Sequence, residues 1–78
     1  MAVITSFQKD VRPPSRNPTD VVCHWSMASF SGGGPILQLT THGSKTRKQP
    51  GKPSQVLQLT KESAAMLYAI LKREFEFT

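Results

Sequence analysis

Acidic residues are missing from the whole middle of this chain: none stands between Asp20 and Glu62. Lys45, Arg47, Lys48, Lys52 and Lys61 fall inside that gap. Outside it, Lys9, Arg12, Arg16, Lys72 and Arg73 cancel Asp10, Asp20, Glu62, Glu74 and Glu76, so the net +5 lies entirely within the gap. Such a patch attracts polyanions and speeds encounter with them. A solvated loop also carries charge for solubility alone, and the cluster by itself leaves both readings open. Cysteine is scarce as well: Cys23 stands alone, which excludes an internal disulfide and a multi-cysteine zinc site and suits a reducing compartment. No run approaches the roughly 20 apolar residues of a membrane-spanning helix. The opening MAVITSFQKD has no basic start followed by a long apolar core, so no secretory signal is expected. A cytoplasmic location follows as the expectation, nucleoid-associated or nuclear sites included.

The chemistry of catalysis is also missing. The five carboxylates lie toward the ends of the chain and alternate with bases, which gives no convergent acid–base pair. Cys23 and His24 are neighbours, so in a strand they point to opposite faces and cannot act as nucleophile and base. Cys23 is expected to be a small buried hydrophobe. His24 and His42 are too few for a metal site, and no phosphate-loop or dinucleotide motif occurs. The chain is therefore not expected to be an enzyme, to hold a cofactor or metal, or to take a small-molecule substrate.

What is present is a run of strand-like segments and one helix. The length of 78 residues allows a single domain, residues 1–78. A domain this small buries only about 60% of its unfolded surface, so a second copy is one route to stability. Residues 1–19 read as a short strand followed by a Pro-rich connection containing Pro13, Pro14 and Pro18. Val21 to Phe30 is rich in β-branched and aromatic residues. Alternation puts Val21, Cys23, Trp25 and Met27 on one face, and Val22, His24, Ser26, Ala28 and Phe30 on the other. Both faces are partly apolar, which predicts a central or dimer-covered strand with Trp25 in the core. Ser31-Gly32-Gly33-Gly34-Pro35 then turns the chain into a hairpin.

Ile36-Leu37-Gln38-Leu39-Thr40 recurs as Val56-Leu57-Gln58-Leu59-Thr60. The repetition predicts two strands in matching environments. Leu37, Leu39, Leu57 and Leu59 face the core, while Ile36, Gln38, Thr40, Val56, Gln58 and Thr60 form a mixed, wettable face. Between the copies, residues 42–55 carry the basic cluster with Pro50, Gly51 and Pro53, a long loop for a compact domain. Thr60 is a good N-cap for a helix over 61–75, which has no Gly or Pro, Glu62 in its first turn and Lys72 and Arg73 near its end. Ala64, Leu67, Ile70, Leu71 and Phe75 form its apolar stripe, widened by Met66, Tyr68 and Phe77. The expected fold is α+β: an antiparallel sheet of three to four strands over 20–60, followed by one C-terminal helix.

Two uses suit this arrangement. The basic loop offers phosphate contacts beside a polar sheet face, and exposed aromatics stack on unpaired bases. Phe30, on the face opposite Trp25, is the better stacking candidate. With one helix there is no helix-turn-helix, and no RNA-recognition aromatic motif occurs. The alternative is a protein-interaction or assembly module that docks its partner on the helix face or a sheet edge.

The stretch Lys48-Gln49-Pro50-Gly51-Lys52-Pro53-Ser54-Gln55-Val56-Leu57-Gln58-Leu59-Thr60-Lys61-Glu62 resembles the single-stranded-DNA-binding transcriptional coactivators of the positive-cofactor type, distant relatives of the plant Whirly proteins. The likeness spans residues 20–75; the triple glycine, the longer basic loop and the Pro-rich segment depart from it. The resemblance implies a homodimer with helices packed together, each copy gripping single-stranded DNA in a transcription or DNA-maintenance role. It implies nucleic-acid contacts at Lys48, Lys52, Gln38, Thr40 and Gln58, to which the basic patch adds Lys45, Arg47 and Lys61, and stacking adds Phe30. Leu67, Ile70, Leu71 and Phe75 are the expected dimer contacts. The residues themselves leave DNA against RNA, and any base preference, open.

Overall fold

A computed structural model describes residues 1–42 and 53–78. Four strands and one helix follow in order: β1 (Ala2–Ile4), β2 (Cys23–Ser29), β3 (Pro35–His42), β4 (Pro53–Leu59) and α1 (Lys61–Glu74). The strands form one sheet in the order β1-β4-β3-β2. β2, β3 and β4 pair antiparallel, whereas β1 lies parallel to β4 with Ala2 opposite Leu57 and Ile4 opposite Leu59. The sheet is therefore mixed, which corrects the antiparallel expectation. Alternation reports which face a residue takes, not which way its strand runs. The chain joining β1 to its parallel neighbour β4 runs through residues 5–22, β2 and β3, well beyond the roughly dozen residues that a parallel connection requires.

The glycine turn behaves as its composition dictates. Phe30 O accepts from Gly33 N at 3.0 Å, and Gly32 takes φ +82°, the conformation required at the third position of a type II turn. The hairpin pairs Trp25 with Leu39 and Met27 with Leu37. β3 and β4 pair Leu37 with Leu59, Gln38 with Gln58 and Leu39 with Leu57. The two near-identical runs are thus direct neighbours, and their antiparallel match about the glutamines puts all four leucines on one face.

Thr60 starts the helix through a reciprocal cap. Its Oγ1 accepts from Ser63 N at 3.1 Å, and Ser63 Oγ accepts from Thr60 N at 2.9 Å. Such a box satisfies two otherwise orphaned donors and is worth about 1 kcal/mol. At the other end Phe75 is the C-cap, so the helix stops one residue short of the 61–75 expectation. Phe77 N reaches back to Lys72 O at 3.0 Å, while Glu76 takes the left-handed φ of 57°. This is a Schellman closure with glutamate where glycine is usual.

The helix packs on β3 and β4. Ser63, fully buried, and Leu59, 2% exposed, form the junction, with Ala64, Leu67 and Ile70 half-buried along the same side. β2 lies beyond this cover. It is an edge strand rather than a central one, and every one of its residues is exposed. Three expectations fall with it. Trp25 is on the apolar face but 70% exposed, Cys23 is exposed rather than buried, and Leu57 is 36% exposed. The cause is geometric: one 14-residue helix, about 21 Å long and 10 Å wide, cannot roof four strands spaced by nearly 5 Å.

Candidate nucleic-acid interface

The face of the sheet turned away from the helix is built on a row of side chains at matched register. Gln58, Gln38 and Ser26 lie side by side across β4, β3 and β2, and Val3 extends the row onto β1. Gln58 Nε2 donates to Gln38 Oε1 at 3.0 Å, and Gln38 Nε2 donates to Thr40 Oγ1 at 3.5 Å. One residue pair further on, Thr40 lies opposite Val56 and His24. The register shift between Thr41 and His42 introduces an irregularity at the end of β3, and the His24 and His42 rings meet edge to face at 5.1 Å. A half-buried amide–hydroxyl chain thus runs into a pair of imidazoles.

Strand direction fixes what lies where. β2 begins at Cys23, β3 ends at His42 and β4 begins at Pro53, so the histidine pair marks one end of the sheet. The chain leaves the sheet at His42 and re-enters it at Pro53. Lys45, Arg47, Lys48 and Lys52, four of the expected contacts, belong to the intervening sequence and lie outside the described residues.

The sequence-derived residues separate into two groups. Gln38, Thr40 and Gln58 are brought together on this face as the alternation requires. Phe30 and Lys61 sit at the opposite end of the sheet. Phe30 follows β2 as the first residue of the turn and is exposed, while Lys61 opens the helix and lines a recess of about 200 Å³ with Leu37, Leu59 and Met27 on the apolar side. Of the expected dimer contacts, Leu67 and Ile70 are half-buried on the side of the helix nearer its own sheet, whereas Leu71 and Phe75 remain exposed. Phe75 stacks on Phe77 at 5.6 Å.

The histidine pair was not anticipated as part of this surface. Alternation puts His24 on the Gln38 side and His42 two residues past Thr40. Their meeting depends on the β2–β3 register, which pairs Cys23 with Thr41 and His24 with Thr40 and which local sequence does not specify. Among the described residues, no three His, Cys, Asp or Glu side chains come together as metal ligands, and no helix is long and apolar enough to cross a membrane. Arg12 forms an ion pair with Asp10, two residues apart, at 3.2 Å. It holds the Asp10 carboxyl below the ordinary carboxylate range, chiefly through the guanidinium hydrogen bond and then through the Arg12 backbone N–H.

No family model, curated protein or solved structure matches this chain.

Proposed function

We propose that this chain is a single-stranded nucleic-acid-binding protein that works as a homodimer, with DNA as its ligand and a role in transcription or DNA maintenance. The observation that carries the reading is the sheet face turned away from the helix: among the described residues, Gln58, Gln38, Thr40, His24 and His42 line up on it toward the end where the chain leaves the sheet for the sequence holding Lys45, Arg47, Lys48 and Lys52. Amides and imidazoles donate to and accept from base edges and phosphates, and nearby lysines neutralise the backbone. The resemblance of residues 48–62 to the positive-cofactor type of coactivator supports the same ligand.

Fluorescence anisotropy with labelled oligonucleotides over a salt series tests it. Affinity for single strands falls steeply with salt, by a slope of about 0.7 for each phosphate neutralised. Replacing Lys45, Arg47, Lys48 and Lys52 together by Ala lowers that slope by up to about 3. Undetectable binding at low salt overturns the proposal, and an unchanged slope moves the contact off the loop.

The opposite face favours a second reading, an assembly module. Trp25, Met27 and Leu57 leave apolar surface open beside the helix. On that reading oligonucleotides bind weakly or not at all, and Trp25→Ser abolishes capture of a protein partner.

A further inference from the structure

The two edges of the sheet differ in kind. β1 offers three residues, and short edge strands are a common protection against unwanted pairing. β2 offers seven, Cys-His-Trp-Ser-Met-Ala-Ser, with no lysine, proline, carboxylate or glycine among them. It presents a row of backbone donors and acceptors with none of the usual guards. Both faces of the strand are open, Trp25 and Met27 (55% exposed) on one and His24 and Ser26 on the other.

The surface available matches this. The chain presents 7099 Å², whereas a folded monomer of 8.6 kDa presents about 4,700 Å². The exposed segment between β1 and β2 contributes to the excess, and β2, exposed along its whole length, contributes to it as well.

We infer that β2 is the seam of the homodimer: the β2 strands of two copies pair antiparallel, giving one continuous eight-stranded sheet. The occupant is a second copy because the strand is complementary to itself. A twofold axis perpendicular to the sheet keeps apolar face with apolar face only when the paired residues have the same parity. Full overlap of Cys23–Ser29 with itself meets that condition, with the axis at Ser26. Trp25 of each copy then lies opposite Met27 of the other, an aromatic–thioether pairing that covers the side chains the helix leaves bare. The strand carries no charge, so the match brings no like charges together.

This deepens the dimer part of the proposed function and stands apart from its ligand. Its consequence for the ligand is geometric. The row Gln58–Gln38–Ser26 continues through the axis into its copy, spanning six strands or about 24 Å of polar face.

The test uses the full chain without nucleic acid. Sedimentation at micromolar concentration gives a dimer. In a Cys23→Ser background, Ser26→Cys places two thiols across the axis at Cα separations of about 4.5–5.5 Å, within disulfide reach, and mild oxidation links the copies covalently. The native chain does not cross-link through Cys23, since full overlap sets those residues about 20 Å apart. Ser26→Lys sets like charges against each other and raises the dimer dissociation constant about fivefold, with an unchanged circular dichroism spectrum. A monomer overturns the inference and the dimer part of the proposed function, leaving oligonucleotide binding standing. A dimer that cross-links through Leu71→Cys but not through Ser26→Cys overturns the β2 seam alone.

Discussion

Gln58 donates through Nε2 to Gln38 Oε1 at 3.0 Å, and so ties together the centres of two strands whose sequences read almost alike. The contact is half-buried, and Gln38 Nε2 in turn donates to Thr40 Oγ1. A neutral hydrogen bond in this setting contributes about 0.5–1.5 kcal/mol net. Urea unfolding of Gln38→Ala, Gln58→Ala and the double variant should therefore show a coupling of about 0.5–1 kcal/mol. A coupling indistinguishable from zero would leave the pair with no role in stability and only its place on the open face.

Leu57 and Leu59 belong to the same face and the same strand, yet they differ in cover. Leu59 sits under the helix start, whereas Leu57 lies at the uncovered part of the sheet. Leu59→Ala should cost about 2–5 kcal/mol, enough to unfold a domain of this size at moderate temperature. Leu57→Ala should cost about 1 kcal/mol, since much of its side chain already meets water. Thermal unfolding followed by circular dichroism decides it, and equal losses would mean that Leu57 is covered in solution.

Glu76 holds a left-handed φ of 57° to close the helix through Phe77 N and Lys72 O. A residue with a Cβ gives up about 1 kcal/mol in that conformation, and glycine does not. Glu76→Gly should raise stability by about 0.5 kcal/mol after the greater chain entropy of glycine is subtracted. A lower melting temperature would place the terminal turn in another conformation.

Asp10 is the group whose titration the structure moves, and the direction is downward because Arg12 hydrogen-bonds its carboxylate through both side chain and backbone. A depressed carboxylate adds stability above its unfolded value, and that contribution is lost as pH falls through the folded one. Both side chains are well exposed, so the effect on folding is small. The signature is local. In an NMR titration Arg12→Ala should move the Asp10 midpoint up toward the ordinary carboxylate value, leaving unfolding at neutral pH unchanged. An unmoved midpoint would remove the ion pair from the solution structure.

Local chemistry made much of this fold legible. Three glycines announce the hairpin, Thr60 announces the helix, and the repeated Leu-Gln-Leu core puts leucines and glutamines on opposite faces. The same alternation assembles Gln38, Thr40 and Gln58. Neighbour relations were hidden. Alternation within Val21–Phe30 is compatible with a central strand or an edge, and only the helix's limited width decides that Trp25 and Cys23 remain open. The short N-terminal strand was legible but its direction was not, since Ala2 and Ile4 carry no mark of the way in which they pair. The His24–His42 contact needs the β2–β3 register, which no window of neighbouring residues encodes.

The parallel pairing of β1 with β4 has a consequence for how the sheet assembles. Ala2 meets Leu57 and Ile4 meets Leu59, so this ladder closes across most of the chain, while the β2–β3 hairpin closes over a turn of a few residues. Loop closure over so long a span is entropically dearer than closure of the hairpin, and non-local pairings form slowly. The strand made first of the four must therefore wait for the one made last. Until it docks, the nascent chain carries a second unpaired edge along β4, and folding yield should depend on how quickly those three residues find their place.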